Sequence, residues 1–223
     1  MDEGRLPVII GVGQYTNRSD DLADAREPLD MMAIVARQAE EDTGVPGLLA
    51  SVDSVRVVNV LAWRYEDPAR QLAQRLGFAP REGLYTTIGG NTPQWLANAT
   101  ADAIAAGQVG VALIAGAEAI HSVRLARKQG VELPWTPRSS STPPMVGDSR
   151  AGLREEEMKH GARMPIQVYP MFENAIRAAR GRGLEEHRRH LGRLCERLSR
   201  VAAENPYAWF RDAKTAQEIM TVG

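Results

Sequence analysis

The run Gly89-Gly90-Asn91-Thr92 contains the residues of this 223-residue chain that are best suited to chemistry. Two adjacent glycines allow a tight turn or the close approach of a ligand to the backbone. Asn91 or Thr92 can cap a helix, and Pro93 suits the first helical position. Backbone N–H groups left free at such a helix start can bind an anion or stabilise a developing oxyanion. The same residues also fit an ordinary strand-to-helix turn, and their spacing alone does not separate the two interpretations.

The histidines and the single cysteine are weaker candidates. His187 and His190 are three residues apart in a predicted helix, but no third metal ligand has a suitable spacing, so a solvated charged face is favoured. His121 follows a predicted strand and is the one histidine that a parallel sheet would bring towards the 89–92 turn. Cys195 lies among leucines in a predicted helix and is interpreted as a small core residue. We therefore predict no metal site and assign no catalytic residue from spacing.

Two other patterns do not complete a motif. Gly11-Val12-Gly13 begins a dinucleotide-binding pattern, but Thr16 stands where the third glycine is needed and no helix opens there. A basic run without interleaved aromatic residues indicates a solvated helix face, a few of whose arginines could meet phosphates. The run consists of Arg177, Arg180, Arg182, Arg188, Arg189 and Arg193.

The first half of the chain alternates between strand and helix patterns. Strands are predicted over 7–13, 51–61, 84–88 and 109–115, with helices over 28–43, 68–76 and 91–107. This order predicts an α/β fold with a mostly parallel, layered sheet. The apolar run 7–13 suits a strand buried on both faces. Because the helix over 91–107 is rich in alanine and has Asp102 as its one charged residue, we expect it to lie in an interior layer.

The pattern changes after residue 118. Helices are predicted over 119–129, 155–160, 169–180, 184–204 and 215–220, and no convincing strand follows residue 116. A proline- and serine-rich loop runs from 134 to 144. Residues 1–118 are therefore predicted to form an α/β core, and residues 119–223 are predicted to form a helical region outside that core.

The bulk composition excludes several classes of protein. The net charge is −1, which gives no global attraction to nucleic acid or to an anionic membrane. No apolar run has the length of a membrane span, and residues 1–20 lack the pattern of a signal peptide. One cysteine excludes a disulfide framework and suits a reducing compartment, so we expect a cytoplasmic location.

The strand, the turn, the alanine-rich helix and the run AIAAGQVGVALIAGAEAIHS together resemble the N-terminal half of a thiolase. They are most similar to the acetyl-CoA acetyltransferase and sterol-carrier-protein-thiolase branch, and the runs MPIQVYPMFENAIRAA and AAENPYAWF are typical of it. The resemblance implies a thiolase-like core over 1–118. It also implies that residues 119–223 are the helical loop domain, which in that family covers the active site and holds coenzyme A.

The chain departs from the family in two respects. First, aligning the run from Ala106 to Gln108 with the family places the position of the nucleophilic cysteine on Gly90. Second, the sequence ends at Gly223, before the C-terminal half that in the family supplies a histidine and a second cysteine. The resemblance therefore implies a thiolase-like acyltransferase-type protein of lipid metabolism that binds or acts on acyl-CoA, impaired or inactive alone. Coenzyme A would be a substrate or ligand, not a covalent cofactor.

The pocket residues we expect are Gly89, Gly90, Asn91 and Thr92, with His121 as a weaker candidate. A second interpretation is a non-catalytic CoA-binding or scaffolding subunit. Its partner would be a second copy, giving a homodimer, or another chain that supplies the C-terminal half. A third is a truncated product with no independent role.

Overall fold

The computed structural model of the chain describes residues 3–149 and 152–221. It divides into two compact units, Met1–Ser149 and Arg150–Gly223. The first unit contains the sheet and four α-helices, and the second contains four further helices. The functional boundary that we placed between residues 118 and 119 stays a prediction.

Three short parallel strands form the sheet of the first unit. They are β1 (Ser54–Val57), β2 (Glu82–Tyr85) and β3 (Ala112–Ala115), in the spatial order β2-β1-β3. Arg56 at the centre of β1 lies between Leu84 of β2 and Ile114 of β3. The predicted α/β class with a parallel sheet is therefore confirmed.

Proline and glycine set the ends of the helices in this unit. The helices are α1 (Pro28–Thr43), α2 (Pro68–Leu76), α3 (Thr92–Ala105) and α4 (Ile120–Gln129). Proline occupies an early position in α1, α2 and α3, where its missing N–H costs no hydrogen bond. Gly44, Gly77 and Gly130 end α1, α2 and α4 with φ of 69°, 86° and 67°, a left-handed conformation that favours glycine.

The hydrophobic core lies where α1 and α2 pack on one face of the sheet. Leu29 and Met32 of α1, Leu72 of α2, and Val55 and Val57 of β1 are fully buried there. Val55 and Val57 point to the same face because side chains alternate along a strand. This apolar layer fixes the sheet and so fixes the ends of its strands.

The alternate residues of β1 form a polar layer towards α3. The guanidinium of Arg56 donates to Ser54 at 2.9 Å, to Thr100 of α3 at 3.1 Å and to Glu82 of β2 at 3.2 Å. Ser54 also donates to Glu82 at 2.7 Å. These hydrogen bonds satisfy a nearly fully buried arginine, which would otherwise be costly to bury.

The helix α3 forms where it was predicted, but one face of it is open. Thr92, Leu96 and Thr100 are its buried residues, and Trp95 is 39% exposed. The structure therefore corrects the expectation of a helix enclosed on nearly all sides. The apolar composition of α3 reflects a surface that no other described residue covers.

The run 7–13 is not a strand and is not buried. It is an irregular segment whose exposed residues include Val8 (72%) and Ile9 (88%). It is attached to a helix, because the N–H of Val12 donates to the side-chain carboxylate of Asp42 in α1 at 2.9 Å. The prediction of a strand buried on both faces was wrong because none of the described strands pairs with this segment.

All the secondary structure in the described part of the second unit is helical. Its helices are α5 (Glu155–Lys159), α6 (Pro165–Ala179), α7 (Leu184–Glu204) and α8 (Ala216–Thr221). The start of α6 lies four residues before the predicted one, and Pro170 is accommodated inside this helix. Many large apolar side chains of this unit are exposed, including Ile166, Phe172 and Val201.

Candidate functional site

The candidate site is built at the edge of the sheet where all three strands end. Since the strands are parallel, the segments after β1, β2 and β3 leave from this same edge. Asn59 in the segment after β1 is hydrogen-bonded to Thr86 in the segment after β2. Its backbone N–H donates to the hydroxyl of Thr86, and its side-chain amide donates to the Thr86 carbonyl, both at 3.0 Å. Ligands of α/β proteins commonly bind at this edge.

The 89–92 turn lies between β2 and α3, as predicted. The hydroxyl of Thr92 donates to the carbonyl of Gly89 at 2.6 Å, and the N–H of Thr92 reaches the same oxygen at 3.1 Å. Neither Asn91 nor Thr92 caps the helix through an accepting side chain, which corrects the capping that we expected. The hydrogen bond from Thr92 to Gly89 therefore stabilises the turn, and the first N–H groups of α3 have no side-chain cap.

The two glycines of the turn differ in the space around them. A methyl group added at Gly89 would lie 2.8 Å from the side-chain oxygen of Asn91, whereas one added at Gly90 would meet no described atom within 4 Å. Gly90 is also exposed. The position that the resemblance predicts to match the nucleophilic cysteine is thus open, whereas a side chain at Gly89 would require the side chain of Asn91 to shift.

A segment for which no secondary structure was predicted forms one side of the site. Val146 makes a parallel bridge to Thr86, with Val146 N–H donating to Tyr85 at 2.8 Å and Thr87 N–H donating to Val146 at 2.9 Å. The Thr87 hydroxyl also donates to the carbonyl of Asp148 at 3.1 Å. The segment 145–148 therefore lies beside the end of β2, next to the turn.

Glu118 is a site residue that sequence reasoning missed. Its carboxylate accepts the backbone N–H groups of Leu61 at 2.9 Å, Ala62 at 3.0 Å and Ala119 at 2.9 Å. It thereby joins the segment after β1 to the start of α4. An acidic residue just before a predicted helix was the available signal, since such residues often bind free N–H groups.

His121 lies in the first turn of α4. Its Nε2 is 3.0 Å from a carboxylate oxygen of Asp20 in the segment before α1. A site role for His121 beside residues 89–92 remains a prediction.

The other histidines and the cysteine differ from expectation. His187 is buried, with Nε2 2.9 Å from a carboxylate oxygen of Glu173, although neither ring nitrogen has a well-aligned hydrogen bond. The solvated face that we favoured is therefore wrong for His187. Cys195 is exposed and is not a core residue. Within residues 3–149 and 152–221, no group of three or more His, Cys, Asp or Glu side chains is placed to hold a metal ion.

One solved structure supplies the comparison that decides the fold. It is the crystal structure of a monomeric SCP2-thiolase like protein type 1 (STLP1) from Mycobacterium smegmatis, with 27% sequence identity and a TM-score of 0.72. The match covers 99% of this chain and 40% of the other. The chain is thiolase-like. The predicted resemblance to the thiolase superfamily is therefore confirmed at the level of fold.

The thiolase-like chain spans about 40% of the length of the structure that it matches. No family model and no curated protein matches it. Among the described residues, no helix is both long and apolar enough to span a bilayer.

Proposed function

We propose that this thiolase-like chain binds acyl-CoA thioesters at the 89–92 turn, as an acetyl-CoA acetyltransferase-type protein. The observation that carries the proposal is the open position of Gly90 at the start of α3, at the edge where the strands end. A thioester carbonyl placed there would meet the N-terminal end of a 14-residue helix, whose partial positive charge attracts a developing negative charge.

The residues at the turn support binding better than a complete reaction. Thiolase chemistry requires a thiolate to attack the acyl-CoA carbonyl, with acid and base groups to move protons. Gly90 offers no side chain at the nucleophile position, and the one cysteine, Cys195, is in the second unit. We therefore propose that acyl transfer by this chain alone is impaired or lost while ligand binding is retained.

Calorimetric titration with coenzyme A and acetyl-CoA tests the proposal. We expect saturable binding that Gly89→Val weakens, because a side chain at Gly89 collides with Asn91 inside the turn. Ala97→Val on the exposed part of α3 is the matched control and should leave binding unchanged. Absence of binding by the folded wild-type chain would reject a stand-alone acyl-CoA site.

A second experiment locates the ligand by placing a thiol at the open position. In a Cys195→Ser background, Gly90→Cys adds a side chain where there is space, and Ala97→Cys adds one on an exposed part of α3. Bromoacetyl-CoA alkylates a thiolate with loss of bromide, so a ligand bound at the turn should label Cys at 90 faster than at 97. Coenzyme A should suppress only the labelling at 90; equal rates without protection would place the ligand elsewhere.

The second candidate function is that of a CoA-binding or scaffolding subunit that needs a partner. The observation that favours it is the exposed apolar surface of the first unit. Leu6, Val8, Ile9, Ile10 and Val12 are each more than half exposed, and β3 is an edge strand. Exposed apolar surface and an open sheet edge are each typical of a site where another chain packs or adds strands.

Sedimentation velocity over a range of concentrations separates a homodimer from a hetero-partner. Under the homodimer form of this proposal, the wild type self-associates and Ile9→Lys, which charges the most exposed residue of this surface, remains monomeric. Arg70→Gln on α2 is a control for surface charge change. A wild type that stays monomeric at every concentration would reject the homodimer.

A further inference from the structure

Arg138 stacks on the buried indole ring of Trp63 in the first unit, and Arg64 and Arg127 are close enough to repel its charge. The guanidinium carbon of Arg138 lies 3.6 Å from the centroid of the Trp63 ring, a cation–π contact. Arg64 follows Trp63 in the chain, and its carbonyl oxygen accepts the N–H of Ser139 at 3.0 Å. The backbones that carry Arg64 and Arg138 are therefore directly hydrogen-bonded. Arg127 lies in the last turn of α4.

The charge of Arg138 is repelled by two other arginines. Partial burial, and then repulsion from Arg64 and Arg127, lowers the pKa of Arg138. In the described part of the chain, none of the three forms an ion pair with a carboxylate. Residues 1–149 contain 13 Lys or Arg and 18 Asp or Glu, a net charge of −5. A positive cluster is thus opposite in sign to the unit that carries it.

The buried carboxylate beneath this surface already has its own partners. Glu27 forms an ion pair with Arg75 and accepts a hydrogen bond from the hydroxyl of Tyr65 at 2.9 Å. The hydroxyl of Thr136, two residues before Arg138, is 3.0 Å from the same carboxylate. Because Arg75 balances Glu27, the charge of Arg138 is left for a ligand.

The segment that carries Arg138 is held firmly to the core. Trp63 Nε1 donates to the carbonyl of Thr136 at 2.7 Å, and Trp135 Nε1 donates to the carbonyl of Ala25 at 3.3 Å. The two indole rings pack edge to face, with centroids 4.9 Å apart. A guanidinium on such a support loses little conformational entropy when it binds a ligand.

We propose that Arg64, Arg127 and Arg138, here called the arginine site, bind the phosphate groups of a small-molecule ligand. Guanidinium groups form paired hydrogen bonds with phosphate oxygens, and a polyanion removes the repulsion between them. Three cations favour a ligand with two or more phosphate charges, such as a pyrophosphate, over a single carboxylate. The site does not depend on binding at the 89–92 turn: the phosphates belong to a free compound or to the phosphate end of coenzyme A.

Calorimetry with inorganic pyrophosphate at low ionic strength tests the arginine site. We expect saturable binding that weakens as salt is raised. Arg64→Gln and Arg138→Gln should each raise the dissociation constant about tenfold, the effect of losing one charge-assisted hydrogen bond. Arg138→Lys keeps the charge but loses the paired geometry, so its dissociation constant should lie between those of the wild type and Arg138→Gln. Arg197→Gln, an exposed position of α7, removes the same charge in the second unit and should bind as the wild type.

The outcomes separate this inference from the proposed function. Pyrophosphate that does not saturate the folded wild type, or that binds all variants equally, overturns the arginine site. Because Arg138→Gln also removes a contact to Trp63, the exposed Arg64→Gln keeps the test valid if the first variant unfolds. If coenzyme A displaces pyrophosphate and pantetheine does not, the phosphates are those of coenzyme A; simultaneous binding indicates a free phosphate compound. Pyrophosphate binding without any coenzyme A binding would retain the arginine site and reject only the acyl-CoA proposal.

Discussion

The hydroxyl of Tyr65 donates a hydrogen bond to the carboxylate of Glu27 at 2.9 Å, and both residues are at least 95% buried. Glu27 immediately precedes α1, and Tyr65 lies between β1 and α2. The bond therefore joins the start of one core helix to the segment that leads into the next. It also satisfies part of a buried negative charge, which makes its loss costly.

Removing this hydroxyl should destabilise the fold. We expect Tyr65→Phe to lower the free energy of unfolding by about 1–3 kcal/mol, because it leaves a buried carboxylate with one donor fewer. Urea unfolding followed by circular dichroism measures the change. Tyr169→Phe removes a hydroxyl from a side chain that is 67% exposed and should have little effect. Equal stability of the two variants would contradict the importance of the bond.

Alkaline pH should destabilise the protein through its two buried tyrosines. Burial, and then the charge of Glu27, raises the pKa of Tyr65, and burial also raises that of Tyr85. Each group holds its proton more tightly when folded than when unfolded. Their stabilisation is therefore complete below the unfolded pKa of about 10 and is lost as the pH rises above it.

Absorbance at 295 nm distinguishes this source of alkaline instability. Two of the five tyrosines should stay protonated in the folded protein beyond pH 10 and ionise only when it unfolds. In Tyr85→Phe, one tyrosine instead of two should ionise with unfolding. Ionisation of all tyrosines before any loss of the circular dichroism signal would contradict the prediction.

The segment after β1 should loosen when Glu118 loses its charge. Its carboxylate accepts three backbone N–H groups, and a neutral amide accepts them less well. We expect Glu118→Gln to lower the free energy of unfolding by about 1–2 kcal/mol and to speed hydrogen exchange at Leu61, Ala62 and Ala119. Glu132→Gln, at an exposed position, is the control. Unchanged exchange at all three amides would show that Glu118 does not hold the segment.

The sequence predicted the elements whose signals are local. α1 begins at Pro28 and ends before Gly44, and both signals lie at the helix ends themselves. The place of the 89–92 turn followed from the same kind of pattern. Glu118 was missed because two of its three partners, Leu61 and Ala62, are more than 50 residues away, so that only the fold brings them together.

Burial was predicted less well because it depends on neighbours in space. The apolar run 7–13 has the composition of a buried strand, but Ile9 is 88% exposed. His187 has charged neighbours in sequence, yet it is buried with Glu173 of another helix beside it. In both cases the residue pattern gave the correct chemical character of the segment and could not specify what packs against it.

The attachment of the 7–13 segment to α1 should depend on the absence of a side chain at Gly13. A methyl group added there would overlap the carbonyl oxygen of Val35 and lie 3.1 Å from Cβ of Gln38. Because the nearest obstacle is helix backbone, it cannot move aside cheaply. We expect Gly13→Ala to lower the free energy of unfolding by about 1–3 kcal/mol, the usual cost of overpacking.

Gly90→Ala is the matched control for Gly13→Ala, because a methyl group at Gly90 meets no described atom within 4 Å. It should leave stability unchanged or raise it slightly, since alanine restricts the unfolded chain. Limited proteolysis adds a local readout: Gly13→Ala should be cleaved faster near residues 6–13, because the segment must leave α1 to admit the methyl group. If Gly13→Ala were as stable and as resistant to cleavage as Gly90→Ala, the close approach of this segment to α1 would not contribute to the fold.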